Sequence, residues 1–273
     1  MADVTTVIGV RGFGIPICRR LGQSGRLLIG DHSAEILERA RNVLNDEGYS
    51  VTAVQVDITD AGSVNAFAAQ AAELGRVRSM VCTAGISGSM GEPARIFAVN
   101  MLGTLHLLDA FVPLAGEGSV LIIIASSAAY MMPLSAEDER ILARGSRDEL
   151  AAMFQTHEAS KSGLSTYCLA KRGNQLRVQA LAPALGKSGA RILTVSPGVM
   201  ATPMSQFERD AGSAIDEAVA NNPMGRYGHP EDIAAAVSWL SGPGAAFVTG
   251  IDLLVDGGMT AAMKWPGQGL PRT

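Results

Sequence analysis

Seven short apolar runs, separated by segments of helical period, most tightly limit the folds open to this 273-residue chain. They cover residues 4–10, 26–29, 51–56, 79–82, 120–125, 191–195 and 251–255. Between them, apolar residues recur at helical spacing, as in 34–44, 61–74, 95–111 and a segment opening at Pro230. Strand and helix alternate throughout, with no linker or internal repeat. That pattern predicts one α/β domain over residues 1–273, a doubly wound seven-stranded parallel sheet flanked by helices. Residues 131–164 read as a helical insertion holding two short helices, 136–144 and 147–157. The polar, poorly periodic stretch 200–223 reads as a mobile loop over the site.

Composition excludes several function classes. A net charge of −4 gives no electrostatic reason for a nucleic-acid partner, and no Lys/Arg run suggests a membrane surface. Hydrophobic residues make up 47% and charged residues 18%, which suits a large core and argues against disorder. Cys18, Cys82 and Cys168 are widely separated and lack metal-ligand spacing. Reduced thiols, no metal site and a cytoplasmic location are therefore expected. The amino terminus, MADVTTVIGV, lacks the basic and apolar regions of a secretory signal. The longest apolar strand is too short to span a bilayer.

On a doubly wound sheet, ligands bind beyond the carboxyl ends of the strands. Gly12, Asp31, Asp57, Ala84, Ser126 and Pro197 all fall there. The first strand runs into Gly9-x-x-Gly12-x-Gly14 and then a helix, a context in which glycines admit a pyrophosphate to the helix amides. Asp31 is placed to accept hydrogen bonds from an adenosine ribose, which favours NAD; it is also a candidate helix cap. Arg11 pulls the other way, because it would pair with a 2′-phosphate. Asp57 either meets the adenine amino group or starts a turn. Asn100 lies mid-helix, where asparagine is unfavourable without a role.

The segment 165–177 holds Tyr167 and Lys171 four residues apart, on one helix face. An ammonium beside a phenol favours the phenolate and lowers the ordinary pKa of about 10. Reaching neutrality needs about 3–4 kcal/mol, more than one partly exposed pair supplies; an oxidised nicotinamide would add a second positive charge. His157-x-x-x-Lys161 copies the spacing without the phenol.

Taken together, Tyr167-x-x-x-Lys171 with Ser126 before it, Asn100, Ser196-Pro197-Gly198 and the run from Arg226 to Gly258 resemble the short-chain dehydrogenase/reductase family. The interval before Tyr167, the Cys-x-Ala-Gly strand end and Asp31 look most like its bacterial 3-alpha-hydroxysteroid dehydrogenase/carbonyl reductase branch. The resemblance implies a Rossmann fold and an alcohol dehydrogenase or ketone reductase using NAD(H), with NADP(H) as the second choice. It implies Tyr167 as acid/base, Lys171 as the residue that tunes it and holds the nicotinamide ribose, and Ser126 as polariser of the carbonyl. Asn100 would hold a relay water and Thr202 would meet the carboxamide. The cofactor would lie along Gly9, Arg11, Gly12, Phe13 and Gly14, then Asp31, Asp57 and Ile58, Ala84 and Gly85, Tyr167 and Lys171, and finally Pro197, Gly198, Val199 and Thr202.

Three departures stand out. The glycine loop is one residue short, leaving open what Gly9 does. Cys82-Thr83 replaces two asparagines that brace the central strands in the family. Ser127 competes with Ser126. Met131, Met132, Leu134, Met153, Phe154, Met200, Met204 and Phe207 would either line a pocket for a bulky apolar alcohol or ketone (a steroid, cyclic or aryl ketone) or simply pack the insertion. A homodimer or homotetramer is expected, although an insertion beside the Tyr167 helix would block the family's helix-to-helix dimer contact. The rival readings are an NADPH-dependent biosynthetic ketoreductase and a non-catalytic dinucleotide-binding regulator.

Overall fold

The seven apolar runs become seven parallel strands: β1 (Asp3–Ile8), β2 (Arg26–Asp31), β3 (Val51–Gln55), β4 (Arg76–Cys82), β5 (Val120–Ile124), β6 (Arg191–Pro197) and β7 (Asp252–Val255). A computed structural model describes residues 2–212 and 215–266. The order β3-β2-β1-β4-β5-β6-β7 reverses direction between β1 and β4, opening a crevice at the carboxyl ends of those strands.

Residues along each strand alternate between the two faces. Leu121 and Ile123 of β5 join a core with Phe67, Phe111 and Val178, under helices α3 (Ala61–Leu74), α4 (Pro93–Leu114) and α7 (Gly163–Lys187). Val120, Ile122 and Ile124 join the opposite core with Ile17, Leu37 and Val237, under α1 (Gly14–Leu21), α2 (Ala34–Asp46) and α10 (Pro230–Ser241). Local chemistry sets the helix starts. The Ser33 hydroxyl accepts from the Ile36 amide at 3.3 Å, and Asp60 accepts from Gly62 at 2.8 Å. Helix α4 is long and apolar enough by composition to cross a membrane, but 56% of its apolar window is buried here, as in a core helix.

The insertion folds as α5 (Ala136–Arg144) and α6 (Arg147–Thr156), each opened by a serine capping box. Leu142, Leu150 and Met153 form a third core with Phe97, Met101 and Leu105 of α4 and with Leu169, Ala170 and Leu176 of α7. Met132, Leu134 and Phe154 pack against the same cluster, and Phe154 stacks on Phe97 with ring centroids 4.2 Å apart. These residues, with Met153, therefore fasten the insertion and are not among those that line the large cleft described below.

The stretch 200–223 also departs from expectation. It carries two helices, α8 (Pro203–Asp210) and α9 (Ile215–Ala220), joined through Arg209, Asp216 and Tyr227. Pro203 supplies a ready-set φ at the first turn, and Thr202 caps it. Short polar helices of this kind give little periodic signal. The last helix is α11 (Met259–Lys264).

Leu142 is fully buried and lies across Gly173, whose Cβ would come within 3.0 Å of the Leu142 side chain. Leu142→Ala is expected to destabilise the protein by about 2–5 kcal/mol in denaturant unfolding. A loss below about 1 kcal/mol would mean that the insertion is only loosely attached.

Candidate active site

The β1 turn is shaped by the space its glycines leave. Gly9 has φ +91°, and a Cβ there would fall 2.6 Å from the Ala84 amide. A Cβ on Gly14 would fall 2.3 Å from the Gly9 carbonyl. These two glycines let α1 sit against the ends of β1 and β4, which answers what Gly9 does in the shortened loop. Gly12 differs: at φ +70° its Cβ would meet only the Thr202 side chain, at 3.8 Å, so the backbone there faces open cleft. In place of the family's asparagine brace, the Thr83 hydroxyl donates to the Gly9 carbonyl, and the Thr83 and Ala84 amides donate to Ile8 at 2.8 and 3.0 Å.

Asp31 lies at the end of β2 with both oxygens engaged. Oδ2 accepts from the Val10 amide at 2.9 Å and Oδ1 from the Ser33 amide at 3.0 Å. Ser33, not Asp31, caps α2. The carboxylate thus braces the glycine loop from within the cleft wall. Asp57 takes the turn role, accepting from the Thr59 amide and hydroxyl at 2.8 and 2.7 Å, while Oδ2 lies 3.6 Å from His32. Arg11 lines the cleft, exposed and without an ion pair among the described residues.

Asn100 is buried in a π-helical turn, Ala98–Leu102, inside α4. Its side chain clamps the Ile86 backbone, donating to the carbonyl at 2.8 Å and accepting from the amide at 3.1 Å. Its own carbonyl accepts from the Asn174 amide at 3.1 Å. The extra residue of a π-turn re-aims the local backbone, and such turns are frequent at functional sites. Helical periodicity alone does not reveal it. A side chain on Gly85 would strike Asn100 Oδ1 at 2.7 Å and Lys171 Nζ at 3.3 Å, so these three residues meet in one place.

Lys171 is 5% exposed, and its Nζ donates to the Ile124 carbonyl at 2.9 Å. That is its one hydrogen bond among the described residues, leaving two of three N–H donors unused. Nζ lies 5.7 Å from the centre of the Tyr167 ring. Burial pulls the Lys171 ammonium down to about 8, against a weak upward pull from Cys82, whose own thiol burial pushes up to about 11. Burial likewise pushes the Tyr167 phenol up to about 12, with the Ser126 hydroxyl acting the other way and Glu208 adding to the rise. The expected depression of the phenol by Lys171 is therefore absent from the cofactor-free site: desolvation outweighs an ammonium held against a carbonyl.

Ser126 is half-buried on the cleft wall, while Ser127 is 6% exposed; both border the cleft. Ser126 caps the short 3-10 turn Ser127–Met131 and acts on Tyr167. His157 and Lys161 stay apart from the site: His157 Nδ1 accepts from the Ala159 amide at 3.0 Å, and Lys161 pairs with Glu158.

Gly9, Arg11, Gly12, Asp31, Asp57, Ser126, Ser127 and Tyr167 border one cleft of about 1400 Å³, whereas Gly14, Asn100 and Lys171 are not among its lining residues. Phe13, Ile58, Ala84, Gly85, Pro197, Gly198, Val199 and Thr202 line it, as do Met131, Met200 and Met204. Phe207 does not; it is exposed on α8. Met90, Leu164, Glu208, Met259 and Met263 line it without having been singled out, because only the folding of α8, α11, the β4–α4 loop and the first turn of α7 brings them there. A dinucleotide fits this surface on three observations: the open cradle at Gly12, the α1 amides behind it, and the two unused Lys171 donors.

A family model described as short chain dehydrogenase matches residues 3–137, and one described as Enoyl-(Acyl carrier protein) reductase matches residues 136–260. A short-chain dehydrogenase/reductase, bsc3, of Alternaria brassicicola is 34% identical, covering 94% of this chain and 96% of its own. A 3-alpha-hydroxysteroid dehydrogenase/carbonyl reductase of Comamonas testosteroni is 27% identical, covering 82% and 92%. A crystal structure of an actinorhodin polyketide ketoreductase variant with NADPH superposes with a TM-score of 0.75 at 25% identity, covering 95% and 97%.

Holding the Lys171 ammonium at about 8 rather than 10.5 opposes folding. Stability from this residue is fully present above 10.5, falls as pH drops through about 8, and is lower by about 3 kcal/mol at pH 7. Lys171→Met is therefore expected to raise the melting temperature of the cofactor-free protein at pH 7 and to leave it nearly unchanged at pH 10.5. An equal effect at both values would contradict the buried charge.

Proposed function

The chain is a member of the short-chain dehydrogenase/reductase family, and we propose that it interconverts a secondary alcohol and a ketone on a moderately bulky, largely apolar substrate, NAD(H) being preferred over NADP(H). The observation that carries this reading is the placing of Ser126 and Tyr167 on the wall of the cleft that also holds the glycine cradle, with the Lys171 ammonium buried 5.7 Å from the centre of the Tyr167 ring. Steroid, cyclic and aryl ketones suit the methionine-rich lining, and the steroid dehydrogenase relative points the same way.

When bound, the nicotinamide supplies the hydride chemistry. The chain's own residues handle binding and the proton. Gly12 and the α1 amides would take the pyrophosphate, and Lys171 would spend its two unused N–H donors on ribose hydroxyls. Ser126 donates a hydrogen bond to the substrate oxygen, stabilising developing alkoxide charge. Tyr167, kept neutral by burial, holds its proton ready for that oxygen, so the cofactor-free protonation state suits carbonyl reduction. Alcohol oxidation requires the phenol to lose its proton first, a cost of about 1.4 kcal/mol for each pH unit between about 12 and the working pH. Asn100 fixes the Ile86 backbone, and its Oδ1 and the Lys171 Nζ both border Gly85, which places it as a positioning residue for the proton path. Tyr167→Phe is expected to keep cofactor binding and lose about 10²–10⁴-fold in turnover. Full turnover in that variant would end the mechanism.

The cofactor preference rests on Asp31, a carboxylate at the adenosine end that would repel a 2′-phosphate. Arg11, exposed and unpaired among the described residues, favours the second reading, an NADPH-dependent biosynthetic ketoreductase. Fluorescence titration of the wild type is expected to give NADH at least about tenfold tighter binding than NADPH, the equivalent of about 1.4 kcal/mol. Tighter NADPH binding that is lost in Arg11→Ala would establish the second reading instead.

A cytoplasmic homodimer or homotetramer is the assembly we expect. Helices α5 and α6 cover the face of α4 and α7, so copies would pair through another surface than the family's helix-to-helix contact.

A further inference from the structure

The cations of the cleft lining come from the glycine loop, the end of β2 and α4. They are Arg11, His32 and Arg95, the last two lying near Asp57. Beyond Tyr167, under α8 and α9, the charged lining residues among those described are Glu208 and Glu217, with no cation. Glu208 lines the cleft from α8, as do the apolar residues Met90, Leu164, Met204 and Ile215. Its Oε2 accepts from the Ser89 hydroxyl at 2.9 Å, reaching across to the loop that follows β4. Oε1 accepts no hydrogen bond among the described residues. A half-buried carboxylate gains more from a donor than it would in water, and it disfavours a like charge more strongly.

We propose that Glu208 selects the substrate: it accepts a hydrogen bond from a hydroxyl or amine remote from the reacting carbon, and it excludes substrates bearing a carboxylate or phosphate there. The proposal rests on the alcohol–ketone reading above and narrows it. The preferred substrate is an uncharged or cationic ring or chain with a second donor, which takes the place held by the Ser89 hydroxyl. The influence of Glu208 on the Tyr167 phenol supports the two groups sharing this end of the cleft.

Three ketones built on one ring test it: cyclohexanone, 4-hydroxycyclohexanone and 4-oxocyclohexanecarboxylate. In wild type, kcat/KM is expected to rank the hydroxyl ring first and the carboxylate ring last, at least about tenfold lower, a difference of about 1.4 kcal/mol. Glu208→Gln, which keeps an acceptor and removes the charge, is expected to raise the carboxylate ring relative to cyclohexanone by about tenfold. Ser89→Ala should preserve the wild-type order. Equal use of all three rings by wild type, or a Glu208→Gln variant that leaves the ratios unchanged, would overturn the proposal.

A second measurement needs no substrate. The phenolate absorbance of Tyr167, taken as a difference from Tyr167→Phe, is expected to titrate at lower pH once Glu208 is replaced by Gln. No change would place Glu208 away from the phenol and refute the proposal. If the phenol shifts and yet no ring is turned over, the failure belongs to the alcohol–ketone reading, and the proposal falls with it.

Discussion

A buried ammonium ties this site together. Lys171 reaches from α7 across to the end of β5 and donates to the Ile124 carbonyl, two residues before Ser126. That contact fixes how the long helix lies against the sheet, and with it the distance between Tyr167 and the serine. It also carries a cost, because few partners compensate the charge: Cys82 stays a thiol, and no carboxylate pairs with Lys171 among the described residues. A structural role alone would be met equally well by an apolar side chain. Retaining an under-satisfied ammonium beside a phenol that lines a dinucleotide-sized cleft is what a cofactor-holding residue requires.

The surrounding framework keeps this arrangement in place. A Cβ on Gly85 would crowd both Asn100 Oδ1 and Lys171 Nζ, so a glycine there keeps the approach to the ammonium clear. Asp31 and Thr83 hold the glycine loop by hydrogen bonds to its backbone, so the cradle at Gly12 is set before any ligand arrives. The insertion presses α7 from the far side through Leu142, Leu150 and Met153. Rigid support on both sides of the Tyr167 helix suits a reaction that depends on placing one oxygen between a phenol and a hydroxyl.

Much of the fold was legible because parallel strands are written as unbroken apolar runs, and their ends are marked by Gly12, Asp31, Asp57 and Ser126. The insertion helices could be read nearly to the residue from their serine caps, Ser135 and Ser146. Other features depended on tertiary packing. The π-turn at Asn100 has no periodic signature. The helices of 203–220 are short and polar, so nothing in their spacing separates them from a loop. Which methionines line the cleft followed neither from residue type nor from position: Met153 is core, while Met90 and Met263 face the cavity. The Tyr–Lys pairing itself was plain, but its electrostatics were not. Spacing speaks only of proximity, whereas burial sets the sign of both shifts.

The most direct test of the buried ammonium is an NMR titration of the four lysines, 161, 171, 187 and 264, labelled with nitrogen-15 at the side-chain amine. In the cofactor-free protein, one resonance, absent from Lys171→Met, should titrate near 8. A Lys171 resonance titrating at the ordinary lysine value of about 10.4 would mean that Lys171 is solvated, and the picture of a desolvated site awaiting its cofactor would be wrong.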